Sequence, residues 1–167
     1  MIIHCTKKLA VKIPSVSKVA LEETSPLGSW HAHLYIIERR QCVLFCHDAS
    51  RFMLFLPGVT KQHFVDLGDH HRELFLATLR AFKVDEVRLK AVALALGPVR
   101  YDTATNRSVL GSMKTARSDL GAWLYLMPNI MAVDPVELAH DINQRPASIS
   151  KEWIRPNKVM LAAVESL

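Results

Sequence analysis

Apolar residues recur along this chain with two periods, and the change from one to the other marks out its elements. At the start, "MIIHCT" (residues 1–6) predicts a short buried strand, and "KKLAVKI" a helical turn closed by Pro14. Residues 14–29 set Pro, Ser, Thr and Gly among few apolar positions and predict a connecting loop. Three runs of β-branched and aromatic residues follow at 30–37, 42–47 and 52–56. The polar breaks between them, "ERRQ" and "DASR", are short enough for antiparallel hairpins, and Pro57-Gly58 ends the meander.

Beyond residue 60 the spacing becomes helical. "TKQHFVDL" predicts a short helix. "DHHRELFLATLRAF" places Leu74, Phe75, Thr78, Leu79 and Phe82 on one face, and "DEVRLKAVALAL" opens with two acids that suit the positive end of a helix dipole. Gly97-Pro98 stops that helix. "VRYDT" and "RSVLGSM" then predict a second β pair across "ATN", followed by a helix over "TARSDLGAWLYLM" that buries Ala116, Leu120, Trp123 and Leu124. "DPVELAHDINQ" carries Glu137 three residues after Asp134, a capping arrangement, and "NKVMLAAVESL" closes the chain as a helix. The order predicts an α+β domain over residues 1–127, a mostly antiparallel sheet of four to six strands with helices packed on one face. Residues 128–167 are expected to form a small C-terminal helical extension on the same core.

Composition narrows the class. The 167 residues are 50% hydrophobic and 22% charged, with a mean hydropathy of +0.12, which excludes general disorder. No apolar run reaches membrane-spanning length, so no membrane partner is expected. The N-terminal stretch lacks the long apolar segment and cleavage site of a secretory signal. Three Cys, an odd number, then favour reduced thiols in the cytoplasm. The net charge of +5 lies in the first two thirds of the chain, while residues 121–167 are slightly acidic. A mild basic excess without a run of Lys or Arg is compatible with a phosphate-rich partner.

The candidate chemistry concentrates in "WHAHLYIIERRQCVLFCHD", residues 30–48. An antiparallel hairpin through Glu38–Gln41 sets His33 opposite Cys46 and His31 opposite Asp48. Alternation then collects His31, His33, Tyr35, Cys46 and Asp48 on one face, leaving Trp30, Ala32, Leu34, Val43 and Phe45 to meet the core. Asp48 beside His31 is an arrangement for general acid–base catalysis, and Cys46 beside His33 is one for a thiol nucleophile. His31, His33 and Cys46 can instead hold zinc, with Asp48 or His4 as fourth ligand; zinc is the one cofactor considered. The plain alternative is a packed sheet with buried thiols. His63, His70, His71 and His140 fall at mostly polar helical positions and are expected at the surface.

A second group, "RYDTATNRSVLGSM" (residues 100–113), crowds Arg100, Asp102, Asn106, Arg107 and Ser108 around a tight connection, either an anion cradle or a turn with an internal Arg–Asp pair. Arg39 and Arg40 at the hairpin tip add basic groups that can reach a nucleic-acid groove. The binding residues so designated are Arg39, Arg40, Arg100, Arg107 and Ser108.

The segments "HCTKKLA", "SWHAHLY" with "RRQCVLFCHD", and "TNRSVLGSM" resemble an uncharacterised bacterial domain family of unknown function, across roughly residues 1–125. Trp30, His31, Leu34, Arg40, Asp48, Arg107, Ser108 and Gly111 fit its pattern, while His33 and Cys46 stand where similar sequences often have Asn and an aliphatic residue. Similar domains occur alone or ahead of a plasmid or insertion-element passenger domain. The resemblance implies a mobile-element or defence setting and no particular activity. Three functions are therefore carried forward. The first is a small binding or accessory protein contacting a protein, nucleic acid or a nucleic-acid machine. The second is a small hydrolase or nuclease using His31 and Asp48. The third is a zinc-stabilised structural protein.

Overall fold

Alternation along β1 (Ile2–Cys5) sends Ile3 and Cys5 to one side of a sheet and His4 to the other. A single helical turn, α1 (Lys7–Ala10), leads into the long loop, after which β2 (Trp30–Ile37) returns parallel to β1. β3 (Arg40–His47) and β4 (Met53–Leu56) follow antiparallel, as the meander predicts. The computed structural model describes residues 1–149 and 152–167.

The β2–β3 turn is tighter than expected. Glu38 and Arg39 both take left-handed angles, φ 47° and 63°, and close a two-residue hairpin. Arg40 therefore pairs with Ile37, and His31 faces Cys46 rather than Asp48, while His33 faces Leu44 rather than Cys46. A two-residue loop and a four-residue loop have the same parity, so each side chain keeps its predicted face.

Two helices, α2 (Lys61–Val65) and α3 (Leu67–Ala81), then lead to α4 (Glu86–Leu96), which Asp85 caps by accepting from the Arg88 N–H. β5 (Arg100–Asp102) pairs parallel with β1 from the far side, giving a mixed sheet in the order β4-β3-β2-β1-β5. The expected second β pair does not form. "RSVLGSM" instead begins α5 (Arg107–Leu124), whose start is capped by the Asn106 carboxamide, accepting from the Ser108 and Val109 N–H groups. Val109, Met113, Ala116 and Leu120 repeat at helical spacing and are buried. That period runs through what a short window reads as a strand.

The sheet is covered on both faces. Trp30, Ala32, Leu34, Val43 and Phe45 meet α3 and α4 in the larger core. Cys42, Leu44, Cys46, Met53 and Phe55 lie under α5 in the second. Helical cover thus reaches the face where none was expected, because α5 is longer and more apolar on one side than the β-pair reading allowed. Downstream come a 3-10 turn at Ile130–Ala132, then α6 (Pro135–Ile142), β6 (Ala147–Ile149), β7 (Glu152–Ile154) and α7 (Pro156–Glu165). Ala139, Met160 and Val164 join the larger core, and Ile130, Val133 and Leu138 the second. The fold is α+β with a C-terminal helix, and its two-stranded β6–β7 hairpin is an element that the sequence pattern had not indicated. Among the described residues, no helix is long and apolar enough to cross a membrane.

Two aromatic residues depart from expectation. Trp153, whose apolar setting in the sequence reads as core or edge packing, is 75% exposed. His71, expected at the surface, is fully buried against Trp30, with ring centroids 4.4 Å apart, and neither ring nitrogen has a hydrogen-bond partner among the described residues. Burial, then the nearby His47 and Arg72, lowers its pKa from 6.5 to about 3. The folded ring therefore binds a proton less readily than the unfolded one. Its contribution is fully present above pH 6.5 and is lost as the pH falls towards about 3. Replacing His71 with Leu removes this dependence. In urea unfolding, the stability difference between His71→Leu and the parent is expected to shift by roughly 2–3 kcal/mol in the variant's favour between about pH 7 and 4.5. Parallel stability curves for the two proteins would contradict the assignment.

Candidate functional site

One rung across the sheet gathers the polar groups. His4 pairs with His31 on one side and with Asp102 on the other, and His31 pairs in turn with Cys46. All four point to the α5 side. α5 shields the Cys46 end of the rung, while the β1 and β5 end carries imidazoles and carboxylates.

His31 is buried, and both its nitrogens are engaged. Its Nδ1 lies 2.6 Å from Asp48 Oδ1, and its Nε2 lies 2.9 Å from the Asn106 backbone nitrogen. An amide N–H can only donate, so His31 Nε2 is the acceptor, and the ring proton sits on Nδ1 facing Asp48. Asp48 follows the last residue of β3. Its N–H donates to the Ser29 carbonyl, and its Oδ2 accepts from the Ser29 hydroxyl at 2.8 Å. The predicted His31–Asp48 pair is therefore present, formed diagonally beyond the strand end. It holds β2, the β3–β4 turn and the start of α5 together, and His31 has no free nitrogen with which to act as a base.

His4 is differently placed. Its Nδ1 lies 2.6 Å from Asp102 Oδ1. Asp102 is fully buried and also accepts from the backbone N–H groups of Leu21 at 2.8 Å and Ala104 at 3.0 Å. Burial works to raise the Asp102 carboxyl, but the hydrogen bonds from Leu21, His4 and Ala104 outweigh it and hold its pKa below the ordinary value. An ionised Asp102 keeps the His4 proton on Nδ1 and leaves the Nε2 lone pair without a hydrogen bond among the described residues. That nitrogen lies 3.9 Å from Asp48 Oδ2, too far for a hydrogen bond, and the side chain retains 13% exposure. The two imidazole rings stand 4.8 Å apart.

The thiol and zinc arrangements are not assembled. Cys46 is buried, and desolvation pushes its thiol far above the ordinary range, well away from a thiolate nucleophile or ligand. His33 faces Leu44 and has its Nδ1 2.9 Å from the Thr6 hydroxyl; burial and then Lys8 depress its pKa. Among the described residues, no group of three or more His, Cys, Asp or Glu side chains is placed to hold a metal ion.

The designated arginines are scattered. Arg39 and Arg40 sit at the Ile37 end of β2, whereas Arg100 pairs with Ile2 beyond its opposite end and donates to the Glu22 carbonyl. Arg107 is exposed in the first turn of α5. Ser108 accepts from Arg51 Nη2 at 2.9 Å. From the sequence pattern His4 stands only as a spare ligand and Asp102 only as a turn residue, and Arg51 carries no signal. Parallel pairing of β1 is what joins His4 to both neighbours, and pattern within a short window carries no sign of it.

A family model described as a domain of unknown function (DUF6933) matches residues 2–159. No curated protein matches the chain.

The two histidines should separate in stability measurements. His31→Ala leaves the part-buried Asn106 N–H and Asp48 carboxylate without their partner and uncouples α5 from the sheet, at an expected cost of roughly 2–4 kcal/mol. His4→Ala leaves Asp102 with two backbone donors and is expected to cost about half as much. Chemical denaturation of both variants checks the order, and equal or reversed costs would show that His31 is not the bracing residue.

Proposed function

This chain belongs to that family of domains of unknown function, and we propose that within it the domain is a small hydrolytic enzyme whose proton acceptor is His4. The carrying observation is the unengaged Nε2 of a histidine whose Nδ1–H is held by a buried, ionised aspartate. That is the geometry by which an imidazole is oriented as a general base. In the proposed step, a water gives a proton to His4 Nε2 as its oxygen attacks an electrophilic centre. The imidazolium, facing Asp48 Oδ2, then returns the proton to the departing group. Asp102 and Asp48 act as positioning residues, and His31 braces the start of α5.

Charge favours an anionic substrate. Lys7 and Lys8 follow Thr6 directly on α1, and Arg107 follows Asn106, and all three are exposed. A phosphoester suits this rim, and a nucleic-acid phosphodiester is the form that suits the bacterial mobile-element or defence setting implied by the resemblance. The free thiols of Cys5, Cys42 and Cys46 agree with a reducing compartment, and the proposal places the domain in the cytoplasm. A binding or accessory role towards nucleic acid is the second reading. Its support is the net charge of +5 and the exposed Arg39 and Arg40 at the hairpin tip.

The test is hydrolysis of p-nitrophenyl phosphate, bis-p-nitrophenyl phosphate and short single-stranded DNA and RNA. The parent should turn over at least one of these. His4→Gln should lower the rate by about 10²- to 10⁴-fold, and added imidazole should restore part of the activity of His4→Gly. Turnover by the parent that is unchanged in His4→Gln, or no turnover of any substrate, would overturn the proposal.

A further inference from the structure

Arg51 is a buried cation, 4% exposed, in the turn between β3 and β4. Its Nη2 donates to the Ser108 hydroxyl, its Nε–H has no hydrogen-bond partner, and it forms no ion pair among the described residues. Burying a guanidinium without a counter-anion is costly, and native structures rarely leave one so. Asp48, three residues earlier, is already committed to His31 and Ser29.

Arg51 lines a cleft of about 330 Å³ that runs between α5 and the β6–β7 hairpin. One wall is α5, which contributes Ser108, Gly111 and Ser112; the facing wall contributes Arg145 and Trp153. Arg145 also forms no ion pair among the described residues. Asp119 lines the cleft too, but it lies three helical turns beyond Ser108, about 16 Å along the axis, far from the Arg51 end. The Arg51 end is thus positive and bears hydroxyls, and the far wall presents an indole ring that is mostly uncovered.

Gly111 is the second observation. It stands inside α5, where glycine is the poorest helix former after proline. A Cβ built there meets nothing within 4 Å. Packing therefore does not require a glycine, and its effect is to keep the cleft floor open beside Ser108 and Ser112.

We infer that this cleft is a binding site for a small phosphorylated molecule bearing a planar ring, of the size of a mononucleotide. The phosphate would occupy the Arg51 end, taking N–H donors from the guanidinium and the O–H of Ser108, which accepts from Arg51 and keeps its own proton to give, the pairing for which arginine's planar fork is suited. The ring would lie against Trp153. The volume is at the lower end for small-molecule sites and matches a mononucleotide-sized ligand. This site is separate from the His4 Nε2 centre, and the inference stands whether or not that centre is catalytic.

Isothermal titration of the whole protein with adenosine 5′-monophosphate, uridine 5′-monophosphate and inorganic phosphate tests it. At least one of the mononucleotides should bind one to one, with a dissociation constant on the order of 10–100 µM, and inorganic phosphate more weakly. Two variants keep the fold testable. Arg51→Gly places glycine at a φ of 58°, a left-handed angle it favours, and should weaken binding by at least about tenfold. Gly111→Leu should fold at least as stably, since the space is open and leucine is the better helix former, yet it should abolish binding by filling the floor. Failure of the parent to bind either mononucleotide up to millimolar concentration, or unchanged binding in a folded Gly111→Leu, would overturn the inference.

Discussion

The organising contact of this domain is the pair of hydrogen bonds made by one buried imidazole. His31 accepts from the Asn106 N–H and donates to Asp48. It thereby joins the start of β2, the residue just past β3 and the N-terminus of α5, which lie far apart in the chain. Each partner fixes the other's chemistry. The amide can only donate, so the ring proton must face the carboxylate, whose second oxygen accepts from the Ser29 hydroxyl. Removing the Asp48 carboxylate or the Asn106 N–H leaves a nitrogen of the buried His31 ring unpaired, which costs more than the bond itself contributes.

From that contact the division of the sheet face follows. α5 starts where His31 holds it and runs over Cys42, Leu44 and Cys46, so the thiols end in an apolar layer. The neighbouring half of the same face, at β1 and β5, keeps His4 and Asp102. Two imidazoles and two carboxylates can share this small volume because each carboxylate receives several donors. Asp102 takes two backbone N–H groups besides His4. The result is one histidine saturated by structure and another with a nitrogen left over. A His31 that bonded its partners less completely would make the two rings chemically alike.

Much of this was readable from residue order. The face assignment of the first hairpin survived an error in register, because the true turn at Glu38-Arg39 and the expected loop differ by an even number of residues. That is why His31 and Asp48 could be brought together from sequence, although they are not directly opposed. The two acids that open α4 and the capping pattern at Asp134 marked their helices correctly. "RSVLGSM" misled because its apolar residues within seven positions, Val109, Leu110 and Met113, fit either period; the deciding apolar positions, Ala116 and Leu120, lie further on. His4 and Asp102 are 98 residues apart, and parallel neighbours are joined by crossovers that leave no local turn signal. Arg51 looked like a turn residue, since nothing in its immediate sequence shows that α5 and the β6–β7 hairpin enclose it.

The central claim is the unequal state of the two rings, and nitrogen NMR of the histidine side chains reads it directly. Long-range ¹H–¹⁵N correlation near neutral pH should show both His4 and His31 protonated on Nδ1. The Nε2 of His31 should carry the signature of an acceptor to an amide proton, and the Nε2 of His4 should show no such bond. A His4 ring with its proton on Nε2, or a coupling from the Asn106 amide that is absent at His31, would contradict the account.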